Sequence, residues 1–150
     1  MVITILCIVL SLCSGCATKS IEYKFSVVTG DDVVVNLDTV DGHSIRQNSG
    51  HAYISDKDGA EVLDLYFLNE EMYENVKQMV GTPTGEAENT NMQTKSGQTY
   101  DRVSYVGADG TNYITYVMWL EGSDTGIMAD STVSAVSAQS AFDHLTISLA

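Results

Sequence analysis

TYDRVSYVGADGTNYITYVMWL, residues 99–120, holds two runs of alternating side chains on either side of Asp109-Gly110. A period of two sends successive side chains to opposite faces of a strand, and an Asp-Gly pair between two such runs marks a hairpin. A two-residue turn there pairs Ala108 with Thr111 and Val106 with Tyr113. Carried outward, it sets Tyr100 opposite Trp119 and Arg102 opposite Val117. One face is then Val103, Tyr105, Ile114, Tyr116, Met118 and Leu120, a core wall. The other presents Tyr100, Arg102, Tyr113 and Trp119 beside Ser104 and Thr115. Tyr, Trp and Arg are the types enriched at binding hot spots. These four are therefore the candidate partner-binding residues, suited to a protein or a glycan, unless a helix covers them as a second core wall. A slip of one residue in either strand changes every pairing.

Upstream, the same period recurs at 22–28 (Tyr23, Phe25 and Val27 on one side), at 33–40 (Val33, Val35, Leu37) and at 60–68 (Leu63, Leu65, Phe67). Short strands at 43–47 and 51–55 lie between them, with Asp41-Gly42 closing a hairpin, so the region reads as an antiparallel meander. At Asn69 the period changes. Asn69 is placed to cap a helix whose first turn holds Glu70 and Glu71, with Met72, Val76, Met79 and Val80 at helical spacing. Gly81 ends that helix and Pro83 prevents its resumption. Residues 81–98 are polar and aperiodic, a long loop, and 122–129 form another. A closing helix begins near Asp130 or Ser131, with an apolar stripe of Ala135, Ala138, Phe142, Leu145 and Leu149. The fold class is α+β: an antiparallel meander with a mid-chain and a C-terminal helix packed on it, or an α/β/α sandwich if the helices take opposite faces.

Charge narrows the function. The chain has 20 acidic and 7 basic residues, a net charge of −13. Such a surface repels phosphates and excludes a nucleic-acid partner. The acids are scattered, which suits solubility, with a cationic or metal partner as the rarer reading.

The first sixteen residues, MVITILCIVLSLCSGC, carry no charge at all. Their apolar run is too short to span a bilayer, which takes about 20 helical residues, but suits a secretion leader ending in small residues. Ser14-Gly15-Cys16 resembles the bacterial lipobox, although Cys13 stands where Leu is usual and no Lys or Arg precedes Cys16. The chain's three cysteines, Cys7, Cys13 and Cys16, all fall here. Cleavage before an acylated Cys16 then leaves no free thiol and no disulfide framework. The expected organisation is a signal peptide at 1–15, a lipidated tether at 16–20 and one domain at 21–150. The expected place is a bacterial cell membrane, lipid-anchored and facing outside the cytoplasm.

The order of elements, closing on Phe142-Asp143-His144-Leu145-Thr146-Ile147-Ser148-Leu149, resembles the PsbP-like α/β/α sandwich, the group that includes lipoproteins of the DcrB kind. The echo of its closing phrase lies in Phe142, Ile147, Ser148 and Leu149. The resemblance implies a non-enzymatic accessory or binding role, without cofactor, and supplies no catalytic residues.

Catalytic templates are missing. There is no Gly-x-Ser-x-Gly elbow, phosphate-cradling glycine loop or His-Glu-x-x-His helix. Asp56-x-Asp58-Gly59 reads as a turn, since a calcium loop would need ligands at Ile54 and Leu65. His43 and His51 with Asp41 are weak candidates for a zinc site if the two histidines meet across neighbouring strands. That is the alternative reading, a small envelope metal-binding or hydrolytic enzyme. His144 reads as a helix-end side chain.

Overall fold

The computed structural model describes residues 19–48, 50–81, 89–94, 97–106 and 108–150. The expected leader, Cys16 and half of the expected 81–98 loop lie outside them. The described chain is α+β and mostly strand. β1 (Ser20–Ser26), β2 (Asp32–Asp38) and β10 (Leu145–Leu149) form a three-stranded sheet in the order β1-β2-β10. β3 (Ser44–Asn48), β4 (His51–Ser55), β5 (Glu61–Leu68), β6 (Asn89–Gln93), β7 (Thr99–Val106), β8 (Asn112–Trp119) and β9 (Gly126–Ser131) form a second sheet in the order β3-β4-β5-β9-β8-β7-β6. All pairings are antiparallel.

The alternating residues of the sequence build the contact between the sheets. Val33, Val35 and Leu37 of β2 are wholly buried against Leu63, Leu65 and Phe67 of β5 in one core that also takes in Ile127 and Ala129 of β9. Phe25 meets Phe67 ring to ring at 5.0 Å. α2 (Ala135–Asp143) shares that side, with Ala138, Ala141 and Phe142 buried. Phe142 stacks on Tyr116 at 4.2 Å and meets Tyr100 edge-on at 4.9 Å. α1 (Glu70–Gly81) packs on the opposite face, against β5, β7, β8 and β9.

Six expectations change. Asp41-Gly42 does not close a hairpin, because β2 and β3 belong to different sheets; it passes the chain from one sheet to the other. Gly42 makes this turn at φ +84°, where a side chain is strained and a Cβ would meet the Lys57 Cβ at 2.7 Å. The loop at 122–129 gives way to β9, a central strand whose buried Ile127 and Ala129 alternate as they should. Its Gly and Ala have poor strand propensity, and the pairings on both sides outweigh that. The closing helix starts after Ser134, whose side chain accepts from the Ser137 N–H, while Asp130 and Ser131 are in β9. That helix is short. Leu145 and Leu149 leave the expected stripe for β10, where Leu145-Thr-Ile-Ser-Leu also has period two and supplies the second neighbour β2 needs. On α1 it is Tyr73 and Val76 that pack inward, while Met72 and Met79 are exposed. Finally, residues 89–93 of the expected loop form the edge strand β6.

Candidate binding face

The outer face of the large sheet is set by register. β7 and β8 pair Asp101 with Val117, Arg102 with Tyr116 and Tyr105 with Tyr113. This is one residue away from the two-residue-turn register, because Val106 pairs with Asn112 in place of Tyr113. The slip separates the four expected partner-binding residues. Tyr100 and Arg102 lie on the inner face, and Tyr113 and Trp119 on the outer one. Tyr100 is 2% exposed and belongs to the core, with Tyr116 and Phe142. Arg102 donates to Gln139 of α2 at 2.9 Å. Trp119 meets Tyr73 of α1 edge to face at 4.8 Å. Only Tyr113 stands clear of a helix, half-buried and stacked on Tyr105 at 5.1 Å.

Following the register across the sheet gives the outer face its composition. Tyr105 and Tyr113 adjoin Thr115, which pairs with Asp130; Asp130 pairs with Asp64, and Asp64 with Tyr53. α1 covers one end of this face. There Tyr73 lies on Gly126, and Lys77 is ion-paired with Asp101. At the other end His51, Tyr53, Asp64, Tyr66, Tyr105, Tyr113 and Asp130 are each only partly buried.

These side chains form a connected network. His51 Nδ1 lies 2.7 Å from Asp64 Oδ1, and the Tyr53 hydroxyl is 3.3 Å from His51 Nε2. A neutral ring with its proton on Nδ1 meets both contacts. Tyr66 donates to the other Asp64 oxygen. His51 and Tyr66 stack at 4.9 Å. Thr115 donates to Asp130 Oδ1 at 2.6 Å. The hydrogen bond to Asp64, then burial, push the Tyr66 phenol far above its ordinary value of 10.0. Burial, then Asp64, raise Tyr53, and burial, then Asp130, raise Tyr105. At neutral pH these phenols keep their protons, and those of Tyr53 and Tyr66 serve His51 and Asp64. Asp130 is pushed up from 3.8, chiefly by burial, with Asp64 adding to the effect.

The weak zinc candidates do not assemble. Within the β3–β4 hairpin, Ser44 pairs with Ser55 and Asn48 with His51, so His43, next to Ser44, stands at the opposite end from His51. Among the described residues no group of three His, Cys, Asp or Glu is placed to hold a metal ion. His43 is instead buried beside His144, with ring centroids 5.0 Å apart. Asp41 reaches His144 Nε2 at 3.2 Å.

A second feature is an open groove of about 580 Å³ along α2, lined by Asp41, Arg102, Gln139, Asp143 and His144. Its polar atoms are largely spent within the fold. Gln139 accepts from Arg102 and donates to Tyr100 and Asp143, while His144 bonds Asp41 and the Ser140 carbonyl. The groove reads as the joint that fixes α2 to β7.

Sequence inspection overlooked Tyr53, Tyr66, Asp64 and Asp130. Their alternation with Leu63, Leu65 and Ala129 was the available signal for a polar outer face. No family model matches this chain, and no match to it was found among curated proteins or solved structures.

Proposed function

We propose that this is an extracytoplasmic lipoprotein, held at a bacterial cell membrane by a lipid on Cys16, whose domain binds a partner without catalysing a reaction. The observation that carries the binding role is the set of half-exposed tyrosines (Tyr53, Tyr66, Tyr105 and Tyr113) grouped on one sheet face with Asp64 and Asp130. Rigid aromatic rings with polar tips are suited to docking surfaces. The anchor is supported by the uncharged apolar leader and by the absence of any cysteine after Cys16. Among the described residues no helix is long and apolar enough to cross a membrane. The PsbP-like α/β/α reading draws support from α1 and α2 lying on opposite faces of the large sheet. The small sheet beside α2 is a further layer which that reading did not include.

The enzymatic alternative has less support. His43 and His51 stand apart, and both nitrogens of His51 are engaged by Asp64 and Tyr53. Mass spectrometry of the membrane fraction tests the anchor: an N-terminal peptide beginning at acylated Cys16 is expected, and Cys16→Ala should release the chain. Uncut, soluble wild-type protein would refute it. Crosslinking in membranes tests the face, since a partner captured by the wild type should be lost in Tyr66→Ser and Tyr113→Ser.

A further inference from the structure

We infer that the exposed part of the tyrosine face takes a cationic segment of a partner protein, seating a lysine or arginine side chain over Asp64 and Asp130 between the rings of Tyr66, Tyr105 and Tyr113. The inference rests on the binding role proposed above and names the chemistry of its ligand.

Three observations lead there. First, Asp64 and Asp130 are direct cross-strand partners on β5 and β9, so two carboxylates stand side by side on one face. Their interaction is repulsive, and Asp64 helps to push Asp130 upward. Second, their neighbours within the fold donate hydrogen bonds and no fixed positive charge. Asp64 accepts from His51 and Tyr66, and Asp130 from Thr115. Four of the described basic side chains are committed elsewhere, Lys24 to Asp32, Lys57 to Asp58, Lys77 to Asp101 and Arg102 to Gln139, and Lys19 lies just before β1 of the small sheet. Arg46, on the same face at the edge strand, turns to Ser55 at 3.5 Å. Third, the flanking groups are aromatic. His51 and Tyr66 stack at 4.9 Å, and Tyr105 and Tyr113 at 5.1 Å, and ring faces attract a cation.

These features choose between a cation and a neutral glycan. A sugar lying on the tyrosines could donate hydroxyls to the carboxylates but would return no counter-charge to the repelling pair. An ammonium or guanidinium group supplies donors to the free lone pairs and a counter-charge to the pair. The net charge of −13 also steers a basic partner toward this domain.

Calorimetry on the full lipidated chain in non-ionic detergent tests the inference. The probes are alternating Gly-Lys and Gly-Arg octapeptides, a Gly-Glu octapeptide and a neutral chitin oligosaccharide. The two basic peptides should bind and weaken with added salt, and the acidic one should not bind. Asp130→Asn, which keeps size and removes charge, should weaken binding about tenfold. Tyr105→Leu should weaken it several-fold through loss of a ring. Glu70→Gln/Glu71→Gln, which removes two charges from α1 outside the face, should have almost no effect. Circular dichroism confirms that each variant is folded. Equal losses in the Asp130 and Glu70/Glu71 variants would mean attraction to overall acidity and would overturn the site. Oligosaccharide binding that is lost in Tyr105→Leu, with no binding of basic peptides, would overturn the cationic ligand and leave the binding face standing. No binding of either probe, with crosslinking unchanged by Tyr66→Ser and Tyr113→Ser, would overturn both.

Discussion

A methyl group added at Gly126 has nowhere to go. Its Cβ would lie 2.6 Å from Tyr73 Cδ2 and 2.9 Å from Tyr73 Cβ, close to the point where α1 rests on the sheet. Gly126→Ala should therefore cost about 1–3 kcal/mol by overpacking, read as a lower urea midpoint with unchanged slope. Asp130 predicts the opposite sign. It is a partly buried carboxylate beside another acid, and Asp130→Asn keeps an acceptor for Thr115. That substitution should raise stability by about 1 kcal/mol while weakening the proposed binding, the usual exchange at a functional site. His43 predicts a pH dependence. Burial, then His144, lower its pKa from 6.5, against the smaller upward pull of Asp41, Asp56 and Asp38, and its Nδ1 has no partner among the described residues. The unfolded chain takes up the proton first, so His43 contributes its full stability above about pH 6.5 and loses it as pH falls toward the lower folded value. His43→Leu should flatten thermal stability between neutral and mildly acid pH relative to the wild type. Equal slopes in the two proteins would refute this.

At the scale of elements, what was legible depended on whether local pattern and tertiary pairing agreed. β1, β2, β4, β5 and α1 were readable because each has a strong period and a turn or cap at its ends. Asn69 caps α1 as expected, its Oδ1 accepting from the Met72 N–H at 2.9 Å. Asn69→Ala should cost about 1 kcal/mol, measurable by denaturant titration. β9, β10 and the hairpin register were misread for separate reasons. β9 is rich in Gly, Ala and acid, so only its two neighbours make it a strand. β10 satisfies a helical and a strand period at once, and β2 breaks the tie. The register depends on a connection one of whose residues has no strong signal of its own. That single slip dispersed the four expected binding residues to two faces and put Tyr105 and Tyr113 on the same one.

For the whole molecule, one core joins the two sheets and α2. Leu37 on β2 and Leu65 on β5 are both fully buried in it. The sheets are also tied at their turns, where Asp31 accepts from the Thr125 hydroxyl at 2.7 Å and the Asp124 N–H at 2.9 Å. Leu37→Ala should thus destabilise the entire domain by about 2–5 kcal/mol. Its unfolding should remain a single transition, with tryptophan fluorescence from the large sheet and far-ultraviolet dichroism falling together. Two separated transitions would refute the shared core. The sequence by itself determined the acidic character of the chain, the confinement of its cysteines to an uncharged apolar run at 1–16, and which residues of its best strands would face inward. Those properties follow from composition and from periods of two and 3.6, which are local. Only the tertiary structure decided that the strands form two sheets, that Tyr100 and Arg102 turn inward, and that Asp64, Asp130 and four tyrosines share an open face. Each of these depends on which strand lies beside which and in what register, and a strand's alternation gives two faces without saying which neighbour will meet them.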